Sequence, residues 1–224
     1  MGSVLGDLLP LAVGVAVSPT AVIAVILMLF APKARATSLG FMLGWVFGVL
    51  VVVVASLALA AEVETDMSSE PTAVVSWIKI LIGIAALVIA AMQWRVSLKE
   101  SGAPAMPKWM RSIDTINLPA ATGLGFALAA VNPTNLALCA AAGVTISGGS
   151  LSDGGDAVAV SAFAVIACTS VVIPVAAYGI AADRLRGPLD SFKRWLERHN
   201  AAVTAMLMLV IGTVLVGKGL GGLL

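Results

Sequence analysis

Residues 8–30 read LLPLAVGVAVSPTAVIAVILMLF, and residues 119–145 read PAATGLGFALAAVNPTNLALCAAAGVT. Neither stretch holds a charged side chain, and a helix needs about 20 mostly apolar residues to cross a bilayer. Each is interrupted near its middle, by Ala16-Val17-Ser18-Pro19-Thr20 in the first and Ala130-Val131-Asn132-Pro133-Thr134 in the second. A proline there removes a backbone donor and crowds the preceding turn, so both spans are expected to break at similar depth.

Four further stretches, 39–61, 74–94, 157–182 and 201–217, qualify as spans by the same test. Apolar residues make up 60% of the 224, charged ones 11%, and the mean hydropathy is +1.05. A soluble domain carries about 25% charged residues to solvate its surface. This chain therefore reads as an all-α integral membrane protein of six transmembrane helices. The five connections differ in charge. Eleven of the 13 basic residues fall in connections one (31–38), three (95–118) and five (183–200), whereas connection two (62–73) carries Glu62, Glu64, Asp66 and Glu70. Connection four (146–156) is rich in Gly and Ser. Basic loops stay in the cytoplasm, which puts both termini outside the plasma membrane.

The N-terminus lacks a basic region before its apolar run, and Asp7 stands where a signal peptide carries Lys or Arg, so the first span reads as retained. Cys139 and Cys168 lie in apolar runs and read as packing residues. The single His199 and single Tyr178 exclude a His-rich metal cluster.

Three spans are an odd number, so the second half enters the membrane from the opposite face to the first. Residues 1–100 and 119–224 are then two inverted three-helix repeats joined by a cytoplasmic linker at 101–118, an arrangement in which broken helices build a midplane site. Ser and Asn are favoured helix caps, and proline is favoured at the first helical position. Ser18-Pro19-Thr20 and Asn132-Pro133-Thr134 thus read as starts of new half-helices, whose free N–H groups would face a central substrate site suited to a carboxylate, sulfate or phosphate. The other reading is that both prolines only kink their helices, with the polar side chains bonding freed carbonyls. Asn135 would add a second amide at this depth, or serve as interhelical glue.

Gly40, Gly44 and Gly48 form a smooth stripe that lets another helix approach closely, from the same chain or a second protomer. Trp77 and Trp94 bracket the third span as an interfacial pair, with Lys79 positioned to snorkel outward. In connection five, Leu189, Phe192, Trp195 and Leu196 share one helical face and Lys193, Arg194 and Arg198 the other, which suits a basic amphipathic helix on the inner leaflet. A solvated connector is the alternative.

No Asp, Glu or His lies in the central part of any span, so neither a proton relay nor a hydrolytic base is expected there. There is no phosphate-loop pattern. No enzymatic activity, cofactor, metal or nucleic-acid partner is expected.

The opening Leu-Pro-Leu-Ala-Val-Gly-Val-Ala-Val-Ser-Pro-Thr, the Ala-Pro-Lys-Ala-Arg-Ala loop and the later Ala-Val-Asn-Pro-Thr-Asn-Leu resemble the GAP/Sap family. These are glycopeptidolipid- and sulfolipid-addressing proteins of mycobacteria and related actinobacteria, related to the LysE-type exporters. The resemblance implies a LysE-like inner-membrane fold and a role in exporting cell-envelope glycolipids beside a large lipid-export transporter. It carries over to Ser18, Pro19, Thr20, Asn132, Pro133 and Thr134. LysE-type amino-acid exporters tend to show Pro-Gly-Pro in the first helix and Asn-Pro-Lys in the fourth, whereas Thr20 and Thr134 close the motifs here. The expectation is a transporter or export facilitator for a lipid or small anionic solute. A non-transporting adaptor of a larger lipid exporter, or an exporter of amino acids or metal cations, are the alternatives. Membrane lipids, that larger transporter and a second copy of the chain are the partners considered.

Overall fold

The computed structural model describes residues 2–31, 33–66, 71–99, 116–149 and 151–223. Their secondary structure is helical: α1 (Gly2–Ala16), α2 (Pro19–Phe30), α3 (Ala34–Asp66), α4 (Pro71–Lys99), α5 (Leu118–Ala130), α6 (Pro133–Ser147) and α7 (Asp153–Gly221). Most of the linker assigned to 101–118 falls outside the described residues, as does Glu70 of the second connection.

Four stretches are long and apolar enough to cross a membrane: Ala34–Glu62, Ser76–Leu98, Gly154–Ile180 and Gly187–Gly221. Two bent pairs pass the same test together, α1 with α2 at 48° and α5 with α6 at 64°. The chain is thus a multi-pass helical membrane protein, with four to six candidate spans among the described residues. Its outer surface agrees. Ile180 is 89% exposed, Val165 69% and Met206 68%. In water each such side chain would forgo about 1.5–3 kcal/mol of burial, and against lipid tails it forgoes almost none.

The helices run past the apolar stretches, because the helical bonding that begins in lipid continues into water where the sequence allows. α3 therefore starts at Ala34, inside the stretch 31–38 that the sequence suggested as a loop. Thr37 ties the start of α3 to α2 by donating its hydroxyl to Met28 O at 3.2 Å, a carbonyl in the last turn of α2.

A larger difference concerns 183–200. Helical backbone runs from Asp153 to Gly221 with Pro174 and Pro188 inside it, so this stretch is helical and continuous with both flanking apolar stretches. Ion pairs one turn apart reinforce it, Arg194 with Asp190 at 2.8 Å and Lys193 with Glu197 at 4.0 Å. Leu196 is buried, while Arg194 and Arg198 are exposed. The helix is not one rod. Leu189, Phe192 and Leu196 line the same pocket as Thr169, Ile173 and Pro174, so the chain doubles back between its two apolar stretches.

Close glycine contacts give the directions of packing. Along α3, a Cβ at Gly40 would meet Leu118 O at 2.9 Å, one at Gly44 would strike Thr122 O, and one at Gly48 would meet Ala129 Cβ at 2.7 Å. The glycine stripe thus seats α5 of the same chain, and the two helices run parallel. Gly83 and Gly212 face each other near Leu87 and Val216, and Gly219 lies against Ser76 and Ile80, so α4 runs antiparallel to the last part of α7. Val4 touches Gly149 and Gly14 touches Leu138, which makes α1 antiparallel to α6. Asp7 pairs with Lys218, bringing the start of α1 to the end of α7. Both cysteines are buried free thiols.

Candidate functional site

Both proline motifs break their helices. At the first, Ser18 N–H turns back to Val15 O at 3.1 Å, and helical bonding resumes with Val22 N–H to Ser18 O at 3.2 Å. The amides of Thr20 and Ala21 lie between these bonds. Ser18 occupies the cap position but makes no side-chain capping bond, contrary to the sequence expectation. Its hydroxyl pairs with Thr20 Oγ1 at 3.3 Å, a partner that Thr20 supplies on the same turn. α2 therefore starts with its amides uncapped by a side chain.

At the second break, Asn132 caps as expected, with Oδ1 accepting from Thr134 N–H at 3.0 Å. Upstream, Val131 and Asn132 N–H both donate to Ala127 O, at 2.8 and 3.2 Å, so Leu128 O loses the Asn132 partner that an unbroken helix would give it. Asn135 Nδ2 fills that vacancy at 2.9 Å. Asn135 is 0% exposed and its Oδ1 has no partner among the described residues.

The two new helix starts meet. Ser18, Pro19 and Thr20 line one cavity of about 420 Å³ together with Asn132, Pro133 and Thr134. Asn135 is not in its wall, and its side chain repairs the α5–α6 break. The rest of the wall comes from Gly14, from Ile89, Met92, Gln93 and Val96 of α4, and from Asn200, Thr204 and Leu207 of α7. Among the described residues no Asp, Glu, Lys, Arg or His lines it. The electrostatic character of the cavity therefore comes from dipoles. Two helix N-termini carry about half a positive charge each, and carboxamides and hydroxyls supply donors and acceptors of either sense.

Three of these polar residues, Gln93, Asn200 and Thr204, were not singled out from the sequence. A signal existed. The sequence has one glutamine and four asparagines, and three of these five carboxamides, Gln93, Asn132 and Asn200, line this one cavity. Asn200 and Thr204 also stand one turn apart on a single helical face.

Fold and site together define a multi-pass helical membrane protein with a small uncharged polar cavity where two broken helices start again. The chain belongs to the Sap family, described as sulfolipid-1-addressing protein, whose sequence model matches residues 8–221. Neither a search of curated proteins nor one of solved structures finds a match.

Proposed function

We propose that the protein helps export an anionic cell-envelope glycolipid, and that its cavity holds the head group. The observation that carries this reading is the meeting of two half-helix N-termini in one cavity that no basic side chain lines among the described residues. Free amides at a helix start bind sulfate or phosphate, and carboxamides with hydroxyls suit the alternating donors and acceptors of a sugar. The family's role in addressing a sulfolipid agrees with such a ligand. At about 420 Å³ the cavity lies low in the range of small-ligand pockets, roughly 300–1,000 Å³, and suits a head group whose acyl chains stay in the bilayer. That size favours action beside a larger lipid exporter over enclosure of a whole lipid, and no catalytic role is assigned.

In this reading all six apolar stretches span, and residues 1–100 and 119–224 form inverted halves. Packing directions support it, since the paired first spans (α1 against α6) and the paired third spans (α4 against the end of α7) are antiparallel, as an in-plane two-fold requires. The contact between Asp7 and Lys218 fits an even number of crossings, and the basic connections favour both termini outside. Val96 and Asn200 then lie toward the cytoplasmic end, so the cavity faces the side where the lipid is made. Comparing the cell-surface lipids of producing cells with and without the protein tests this. Loss of one anionic glycolipid class from the surface, with its retention inside, is the expected result. An unchanged surface profile would reject the export role.

A further inference from the structure

The α4–α7 pair has two unlike faces. Ile89, Gln93, Asn200 and Thr204 face the polar cavity. The opposite face of the same two helices forms a groove of about 990 Å³, lined by Leu87, Ala91, Trp94, Met206 and Leu209, with Arg95, Trp195 and His199 at one end. The residue spacing explains this: on α4, 89, 92, 93 and 96 point one way and 87, 91, 94 and 95 the other. Trp94, Arg95, Trp195 and His199 are all exposed on the outside of the bundle.

The groove is thus graded, apolar along most of its length and cationic where the aromatic residues sit. Among the described residues Arg95 has no carboxylate partner, whereas Lys193 and Arg194 nearby are paired with Glu197 and Asp190. His199 Nδ1 bonds Trp195 O at 2.8 Å and its ring stacks on Trp195 at 4.8 Å, which holds the imidazole at the mouth and leaves Nε2 free of that bond. An outward face in a membrane is covered by lipid. A cation above an apolar trough, beside two interfacial tryptophans, selects a lipid with an anionic head and an acyl chain lying below it.

We propose that this groove is a specific site for an anionic phospholipid of the inner leaflet, with the phosphodiester at Arg95 and His199 and one acyl chain along Leu87, Ala91, Met206 and Leu209. The site lies across the helix pair from the head-group cavity and stands whether or not that cavity binds substrate. Its assignment to the inner leaflet rests on the sidedness given by the basic connections.

Native mass spectrometry of the delipidated protein, titrated with phosphatidylglycerol or phosphatidylcholine of the same chains, tests it. One phosphatidylglycerol is expected to be retained about tenfold more strongly than phosphatidylcholine. Arg95→Gln removes that preference, and Ala91→Trp, which fills the trough, lowers retention of both lipids. Asn132→Asp, on the cavity side, leaves retention unchanged, so failure here is distinct from failure of the export reading. Size-exclusion profiles confirm that each exposed-face variant is folded. Equal retention of the two lipids would overturn the proposal. So would a preference that survives Arg95→Gln, or one abolished only by substituting Lys193 and Arg194.

Discussion

Asn132→Asp is expected to stop export of an anionic lipid and leave the fold intact. Aspartate caps a helix as well as asparagine does, so the bond from Thr134 N–H, 3.0 Å to Oδ1 in the native chain, is kept. What changes is charge. Among the described residues the cavity wall has no Lys or Arg to neutralise a carboxylate, and two negative groups about 5 Å apart repel by ~3 kcal/mol at an effective dielectric constant of ~20. That corresponds to a loss of affinity of about a hundredfold. Asn132→Ala behaves differently. It removes the cap and costs about 1 kcal/mol of stability, with a milder loss of export because no charge is added. Surface-lipid analysis beside thermal melting separates the two. Native-level export by Asn132→Asp would take the anion out of the mechanism.

The largest effect on folding is expected from Gly44→Leu. A Cβ at Gly44 would overlap Thr122 O and sit within 3.0 Å of Phe126 N, both backbone atoms that cannot swing aside. Reciprocally, Gly125 lies against Phe41 O and the Trp45 backbone, so the two helices touch along a surface with no side chain between them. In a bilayer that contact is held by van der Waals packing, with little hydrophobic drive to compensate for a forced separation. Overpacking of this kind costs about 3 kcal/mol or more, enough to remove most folded protein. Gly123→Leu is the control, because nothing lies within 4 Å of the Cβ position there. Fluorescence-detected size exclusion should show a monodisperse peak for the control and aggregated or degraded material for Gly44→Leu.

The two breaks were legible because their cause is local. A proline after Ser18 or Asn132 has no donor for the preceding turn, whatever surrounds it, and the charges between spans follow from the cost of moving cations across lipid. What was not legible depends on partners distant in the chain. The hydroxyl of Ser18 turns to Thr20 instead of capping. The fate of Asn135 was decided by Leu128 O, freed because Asn132 N–H shifted to Ala127 O. The glycines of α3 announced a close neighbour, and only the assembled bundle shows it to be α5. Gln93, Asn200 and Thr204 sit near the ends of apolar runs, where polar residues are common, so only the convergence of α4 and α7 on the breaks reveals their position.

The helix of 183–200 was half legible. Its amphipathic spacing was plain, and its continuity with both flanking spans was not, since that depends on ion pairs and on Leu196 finding a buried seat beside Val17 and Ile26.

The central claim is that uncapped amides at the start of α2, with the α6 start beside them, hold an anion in a cavity that no cationic side chain lines among the described residues. Its most direct measurement is the affinity of the purified protein for a sulfated sugar head group and for the same sugar without sulfate. The account predicts at least tenfold tighter binding of the sulfated form, and loss of that difference in Asn132→Asp. Equal affinity for both sugars, or a sulfate preference that Asn132→Asp leaves untouched, would contradict it.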